Sequence, residues 1–207
     1  MQSANDLDIF AAAMDAGYDS GHYGLEEHRI LYSRTKNKKN LSLTCNCVAF
    51  HPRLNNILAT GATNGAVVFW DIEQKRRSKT SKGGGGKGRL PASVESVSKT
   101  HEACVNSICW HPAGDPPHLL SASMDKTVAL WDKRDPEDPQ HSFPCRAKVH
   151  CVRYNPTTPY EFAAGCGDGS IQIWDIRQVR QVKRIMAHTR HVNTLHWHPE
   201  RMNILGK

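Results

Sequence analysis

The pattern of apolar and polar positions along the chain repeats in short alternating segments. Four of them close on a His-Pro or Asn-Pro pair, at residues 47–52, 107–112, 151–156 and 194–199. Three others end on Trp-Asp, at residues 66–71, 128–132 and 171–175. Alternation with a period of two predicts half-buried β-strands. Proline ends the first strand of each unit because it cannot donate to a sheet ladder. The pattern therefore predicts an all-β protein.

The same segments recur at a fixed distance. Trp131 and Trp174 are 43 residues apart, and so are Asn155 and His198. Trp70 and Trp131 lie 61 residues apart, because a basic Gly-rich stretch is inserted between them. A period of about 43 residues with Trp-Asp endings is typical of β-propellers, whose blades are sheets of four short strands. The predicted fold is an incomplete propeller over residues 41–207, with three full blades and the start of a fourth.

The residues between these segments predict the inner strands and turns of each unit. A second strand is expected at residues 56–60, 118–122 and 161–165, and the third strand carries the Trp. Between them lie the turns 63–65, 124–126 and 167–169, whose Asn, Asp and Gly residues tolerate positive φ. Since propellers close with four to eight blades, we expect this chain to be a fragment that self-associates or is poorly soluble in isolation.

These residues resemble the WD-repeat family of β-propellers. The resemblance implies a hydrogen-bond network in each blade that joins a His, a Ser or Thr, an Asp and the Trp. The second blade matches at all four positions. The first has Leu41 where His is expected, the third has Cys145 and Ala164 at two positions, and the fourth only begins. The implied network residues are His101, Ser121, Asp125 and Trp131, then Thr60, Asn64 and Trp70, then Asp168 and Trp174, and finally His188.

A closer resemblance is carried by residues 40–45 and 56–68, together with Trp174-Asp175-Ile176-Arg177 and residues 197–200. These segments are similar to the propeller of a WD-repeat subunit of the SEA complex, called the GATOR complex in animals. The resemblance implies a non-catalytic scaffold for other protein subunits, acting in amino-acid signalling to the TOR kinase. It also implies a cytoplasmic location, at the lysosome or vacuole surface through that complex. The zinc-binding RING-type module of that family is absent from this sequence.

The net charge of +7 comes mostly from one segment. Residues 73–100 contain eight Lys and Arg and two Glu, so they carry +6 of it. This composition predicts a disordered insertion, because it can bury very little apolar surface. Its basic patch is a candidate nuclear-localisation or anion-binding sequence, but without interleaved aromatic residues it does not favour base stacking. The patch consists of Lys75, Arg76, Arg77, Lys79 and Lys82.

Several other classes of protein find no support. The sequence contains no apolar run of membrane-spanning length and no secretory signal, which favours a cytosolic or nuclear protein with its seven Cys reduced. Residues 1–40 show no repeat and are predicted to be poorly ordered or to contribute a partial strand. The pairs Cys45-x-Cys47 and His196-x-His198 lack the spacing of zinc clusters, so neither a metal nor a cofactor is predicted. No catalytic motif is present, and the protein is not expected to be an enzyme.

Surface recognition is the remaining function. Interfaces favour Arg, which makes Arg134, Arg177 and Arg190 candidate contacts with protein partners. Two alternatives stay open beside the SEA-type scaffold. The W-D-x-R boxes ending at Arg134 and Arg177 resemble those of substrate receptors for cullin ubiquitin ligases. The basic insertion is compatible with a nucleic-acid or chromatin-associated protein, although no small-molecule substrate or membrane insertion is expected.

Overall fold

The computed structural model describes residues 44–72, 94–198 and 204–206. Its regular elements there are all strands, which confirms the predicted all-β class. They form three four-stranded antiparallel sheets, here called blades 1 to 3, and one two-stranded sheet. Blade 1 is β1 (Cys45–Phe50), β2 (Ile57–Ala62), β3 (Ala66–Asp71) and β4 (Val94–Lys99); blade 2 is β5 (Val105–Trp110), β6 (His118–Ser123), β7 (Thr127–Asp132) and β8 (His141–Pro144).

Blade 3 contains β9 (Val149–Tyr154), β10 (Glu161–Cys166), β11 (Ser170–Asp175) and β12 (Arg180–Met186), and the two-stranded sheet contains β13 (His196–Trp197) and β14 (Leu205–Gly206). Strands follow one another in chain order within each blade. The Trp of each repeat lies in the third strand, as predicted. Three repeating sheets and the start of a fourth are consistent with part of a β-propeller.

The fourth strand of blade 1 corrects the prediction of a disordered insertion over residues 73–100. β4 covers Val94–Lys99 and pairs with β3, so that Val97 lies opposite Val68 and Ser98 opposite Val67. The cations concentrate before residue 90, whereas β4 itself is rich in Val and Ser. The edge of β3 offers backbone hydrogen-bonding groups with which this segment pairs. The average composition of residues 73–100 gave no sign of the strand, because the cations dominate it. The basic patch and the N-terminal segment 1–40 lie outside the described residues.

The apolar core lies between neighbouring blades. One buried cluster joins blades 1 and 2 around Phe69, Trp110 and Trp131. A second joins blades 2 and 3 around Phe143 and Phe162, and a third lies between blade 3 and the residues that follow it. The first strands β1, β5 and β9 lie next to one another and bring the sheets together. A single sheet cannot bury both faces, so the stacking of repeats creates the core.

Each turn between a second and a third strand contains one residue at positive φ, which the Gly residues of blades 1 and 3 predict and the Lys of blade 2 does not. Gly65 and Gly169 have φ of 89° and 84°, and Lys126 occupies the corresponding position in blade 2 at 74°. A Cβ on Gly65 would lie 2.1 Å from the carbonyl oxygen of His101, and one on Gly169 would lie 2.1 Å from that of His188. Each of these turns therefore packs against the segment that leads into the next repeat.

Candidate functional site

The predicted network of blade 2 is assembled in full. His101 precedes β5 and its ring lies between Asp125 and Ser121, with Nδ1 2.8 Å from Asp125 Oδ2 and Nε2 2.7 Å from Ser121 Oγ. Trp131 Nε1 donates to the same hydroxyl oxygen at 2.8 Å. Ser121 and Trp131 are fully buried, so these bonds satisfy polar atoms that water cannot reach. The network links β6, β7 and the segment entering the blade.

Asp125 is positioned by its own turn. Its Oδ1 accepts hydrogen bonds from the backbone N–H of Thr127 at 2.9 Å and from the Thr127 hydroxyl at 2.6 Å. Burial favours a higher pKa for Asp125, but the bonds from Thr127 and the neighbouring His101 outweigh it and lower the pKa. An Asp side chain in a turn can accept a hydrogen bond from the backbone two residues further on, which explains why an Asp stands at this place.

Blade 1 contains part of the corresponding network. Trp70 Nε1 donates to Thr60 Oγ1 at 2.9 Å. Asn64 Oδ1 accepts from the backbone N–H of Ala66 at 3.0 Å and so holds the turn. Leu41, which stands at the His position, lies outside the described residues. Blade 1 thus keeps the bond between its second and third strands.

Blade 3 has lost the bond that its Trp makes in the other two blades. Ala164 replaces the hydroxyl residue, and Trp174 Nε1 is buried with no hydrogen-bond partner among the described residues. Asp168 accepts from Ser170 Oγ at 2.6 Å and from Arg184 Nη2 at 2.8 Å. In blade 3 the turn Asp168 is thus bonded to Arg184 on β12, whereas in blade 2 the corresponding Asp125 is bonded to His101. The fourth-repeat His188 is exposed, and within the described ranges it meets no matching Ser or Thr, Asp and Trp.

The arginines of the two W-D-x-R boxes are each held by the Asp of the same box. Arg134 Nε lies 3.0 Å from both carboxylate oxygens of Asp132, and Arg177 Nη2 lies 2.8 Å from Asp175 Oδ2. The guanidinium of Arg177 also covers the ring of Tyr160 at 3.5 Å from its centroid. The arginine side chains are nevertheless 69% and 56% exposed, whereas both carboxylates are buried.

These ion pairs determine the local electrostatics. The hydrogen bond from Arg134 holds the pKa of Asp132 below its usual value, and Arg177 acts in the same way on Asp175. Each guanidinium is thus partly neutralised but oriented, with a face toward solvent. An oriented Arg loses less freedom on binding than a mobile one.

Arg190, the third predicted contact with a protein partner, does not lie on the same surface as Arg177. Arg190 is exposed and follows β12, and its carbonyl oxygen would lie 2.9 Å from a Cβ on Gly169. Gly169 immediately precedes β11, whereas Arg177 follows the end of that strand. Arg190 and Arg177 therefore lie at opposite ends of β11, so the three predicted arginines do not form a single patch.

Contacts between neighbouring blades were not predicted from the sequence. Asn46 Nδ2 donates to the carbonyl of Val105 at 3.0 Å, and Asn106 Nδ2 donates to that of Val149 at 2.9 Å. Both Asn residues sit at the β-bulge of a first strand. The sequence signal was an Asn five residues before the His of His-Pro in three repeats, at Asn46, Asn106 and Asn193.

The aromatic residue before His-Pro makes a second contact between blades. Trp110 Nε1 donates to the carbonyl of Ala49 at 3.0 Å, and Trp197 Nε1 to that of Arg153 at 3.2 Å. The equivalent Phe50 of blade 1 is 60% exposed. A Trp at this position thus binds blade 2 to blade 1 and the fourth repeat to blade 3, whereas the Tyr154 hydroxyl of blade 3 has no hydrogen-bond partner among the described residues.

No three His, Cys, Asp or Glu side chains of the described segments are placed to hold a metal ion. Cys47 packs near the carbonyls of Gly61 and Val105, and burial raises its pKa to about 12. Two clefts, of about 270 and 220 Å³, are small compared with typical ligand pockets of roughly 300–1,000 Å³. In the described part of the chain, no helix is long and apolar enough to cross a membrane.

Comparison with protein families gives two matches. The WD domain, G-beta repeat family matches residues 37–71 and 93–132. The dynein axonemal intermediate chain 3 WD40 domain matches residues 118–205. The two matches together include all three blades and the start of the next repeat.

Individual relatives agree with these matches. The GATOR2 complex protein WDR24 of Danio rerio is 34% identical over 182 residues, and its Homo sapiens counterpart 31% over 183. Each alignment covers 86% of this chain but only 21% of the relative. The protein transport protein SEC31 of Dictyostelium discoideum is 27% identical over 152 residues, which is 70% of this chain and 11% of that protein. The chain thus corresponds to about a fifth of the relatives named WDR24.

Proposed function

Since the chain belongs to the WD-repeat family, we propose that it is a non-catalytic scaffold that binds the other subunits of a GATOR2-type complex. The observation that carries the proposal is the similarity to proteins named as GATOR2 complex proteins over 86% of the chain. The finer proposal is that the complex acts in amino-acid signalling to TOR, in the cytoplasm at the lysosome or vacuole surface.

The geometry supports recognition through a surface. The described blades are antiparallel sheets whose turns and strand ends are fixed by buried hydrogen bonds, so little backbone change is expected when a partner binds. The clefts near His101 and Trp197 are small compared with typical ligand pockets. Exposed, oriented side chains such as Arg134 and Arg177 are the kind of group that contributes to protein interfaces.

Affinity purification of the tagged, full natural protein from its own cells tests the proposal. We expect the other subunits of a GATOR2-type complex to be recovered in amounts comparable to the bait. A double variant, Arg134→Ala with Arg177→Ala, tests whether the W-D-x-R surface takes part, and Arg190→Ala is the control on the opposite end of β11. Recovery of no such subunit with the unaltered protein would overturn the proposal.

The second candidate is a substrate receptor of a cullin ubiquitin ligase. It is favoured by one observation: the arginines of both W-D-x-R boxes share the same Asp-bound, solvent-exposed arrangement. In this case the purification recovers a cullin adaptor, and the double Arg variant loses it while Arg190→Ala keeps it. The nucleic-acid alternative rests on the basic insertion over residues 73–100, whose basic patch lies outside the described residues. It predicts DNA or RNA binding that weakens steeply with salt and is lost when residues 73–100 are deleted.

A further inference from the structure

Two imidazoles meet where blade 3 is followed by the fourth repeat. His150 lies on β9 and His191 lies in the segment that precedes β13, and their ring centroids are 5.1 Å apart. The Nε2 atom of His150 is buried and has no hydrogen-bond partner among the described residues. A buried nitrogen without a partner costs free energy, so packing alone does not explain this His.

The other blades carry different residues at these two positions. Asn46 and Asn106 occupy the place of His150, and each donates its amide N–H to a carbonyl of the next blade. Blades 1 to 3 have Thr, Cys and Lys at the place that His191 takes in the fourth repeat. Within the described ranges, the two imidazoles therefore come together at a single boundary between repeats.

Gly167 opens a space beside the two rings. It follows β10, at the place where blades 1 and 2 carry the side chains of Thr63 and Met124. A Cβ on Gly167 would lie 3.1 Å from His150 Nε2 and 3.3 Å from His191 Nδ1. One nitrogen of each ring thus borders a small space that a side chain at this position would fill.

We propose that His150 and His191 form a binding site for a divalent transition-metal ion such as zinc, with water completing the coordination. Imidazole nitrogens bind zinc at about 2.0–2.1 Å, so small rotations of the two rings toward each other would complete the pair. His191 is exposed, which gives the ion a path from solvent. A bound ion would join β9 to the segment entering the fourth repeat, as Asn106 joins β5 to β9.

The surroundings of the pair are compatible with this role. Burial lowers the pKa of His150, and His191 and Lys148 act in the same direction. His150 is therefore neutral at neutral pH, and a neutral imidazole has a nitrogen to offer to an ion. The Lys148 side chain is exposed, so its ammonium group can remain in water. The Lys148 carbonyl accepts the N–H of Gly167 at 2.8 Å and so fixes the glycine beside the rings.

Chemical modification of the full, unaltered protein is the primary test. Diethyl pyrocarbonate reacts with the free nitrogen of a neutral imidazole, and a ring that holds an ion on Nδ1 carries its proton on Nε2 and has none. Trypsin releases His191 in the peptide of residues 191–201, which also contains His196 as an internal reference. Mass spectrometry of this peptide then gives the rate of modification at each His.

We expect zinc to slow the modification of His191 about tenfold when free zinc is ten times the dissociation constant, since about one site in eleven is then empty. The rate at His196 should not change, and magnesium, which prefers oxygen ligands, should have no effect. The proposal is overturned if zinc leaves the rate at His191 unchanged or protects His196 to the same degree.

Two variants test the individual groups. His150→Asn gives blade 3 the residue that blades 1 and 2 have at this place, and it should abolish the zinc protection of His191. Gly167→Ala keeps both imidazoles but fills the space beside them, and it should abolish the protection as well. His196→Asn is the control and should retain it. Full protection of His191 in either of the first two variants would overturn the site; near-ultraviolet circular dichroism checks that each variant is folded, and Gly167→Ala decides alone if His150→Asn is not.

Discussion

Blades 2 and 3 have the same strand order and nearly the same register, but they are stabilised differently. In blade 2, Ser121 Oγ receives the indole N–H of Trp131 and contacts His101. In blade 3 the indole N–H of Trp174 is buried without a partner. A four-stranded blade therefore forms with or without the hydrogen-bond network. What the two blades share is the repeat pattern of the sequence and the stacking against a neighbouring blade.

Aromatic packing surrounds the Trp of blade 3. Trp174 lies parallel to Phe162 with ring centroids 6.5 Å apart, and edge-on to Phe143 at 5.6 Å. Phe143 itself comes from β8 of blade 2, so this cluster also joins the two blades. Ring pairs of this kind contribute about 0.5–1.5 kcal/mol each beyond their burial. Trp131 of blade 2 likewise packs edge-on against Phe69 of blade 1 at 6.5 Å, so blade 3 keeps the aromatic contact between blades and lacks the polar network.

The largest expected difference between the blades comes from the hydroxyl position. Ser121→Ala leaves Trp131 Nε1 and one nitrogen of His101 buried without a partner. We expect a loss of about 3 kcal/mol in the free energy of unfolding, since each such group costs roughly 1–3 kcal/mol. The matched change Ala164→Ser offers a partner to Trp174 and is expected to be neutral or stabilising by about 1 kcal/mol. Urea denaturation measures the free energy of unfolding of both variants. Equal changes in the two would contradict the difference between blades 2 and 3.

The second difference concerns the turns before the third strands. Gly169→Ala places a Cβ against the carbonyl of His188 at positive φ, and we expect it to cost about 2 kcal/mol. Lys126→Gly at the same place in blade 2 removes a side chain from a conformation that favours glycine, and should change the stability by less than about 1 kcal/mol. Thermal unfolding distinguishes them. A mild effect of Gly169→Ala would mean that this turn does not pack tightly against the next repeat.

Several of these features could be predicted from the sequence, because they belong to positions that repeat. The Trp-bearing strands, the positive-φ turns and the four residues of the blade 2 network were all visible as spacing and residue type. β4 was not, because its Val and Ser residues followed a run of cations. The hydrogen bond from Gln172 Nε2 to Cys166 Sγ was not visible either, since the two side chains become neighbours only when β10 and β11 pair. Arg190 and Arg177 share a residue type but lie at opposite ends of β11.

A third, smaller difference depends on pH. Burial lowers the pKa of His51 below its usual 6.5, and its Nδ1 accepts the backbone N–H groups of Arg53 and Leu54 at 3.2 and 3.1 Å. Protonation therefore favours the unfolded chain, so this contribution to stability is complete above pH 6.5 and is lost as the pH falls below it. Asn155 holds the equivalent turn in blade 3 without a titrating group, through Oδ1 and Thr157 N–H at 3.0 Å.

The matched variant is accordingly His51→Asn. We expect it to weaken the loss of stability between pH 6.5 and 5, which denaturation curves at several pH values measure. Residual acid sensitivity is expected from His111, His118 and His150, whose pKa values burial also lowers. An unchanged pH dependence in His51→Asn would show that this imidazole does not contribute.

The smallest expected effect is at the exposed arginines. Arg177→Ala removes the contact with Tyr160 and the ion pair with Asp175, and it should lower the midpoint of thermal unfolding slightly. Arg134→Ala lacks the aromatic contact and is expected to cost less. Thermal unfolding at low and high salt separates the two, because salt screens the ion pair more than the ring contact. A larger loss for Arg134→Ala would reverse this assignment.

The uneven stabilisation of the blades is tested most directly by hydrogen–deuterium exchange on the unaltered chain. The account predicts that backbone amides of β6 and β7 exchange more slowly than those of β10 and β11, because the network of His101, Ser121 and Trp131 closes blade 2 and has no counterpart in blade 3. Equal exchange in the two pairs of strands, or faster exchange in β6 and β7, would contradict it.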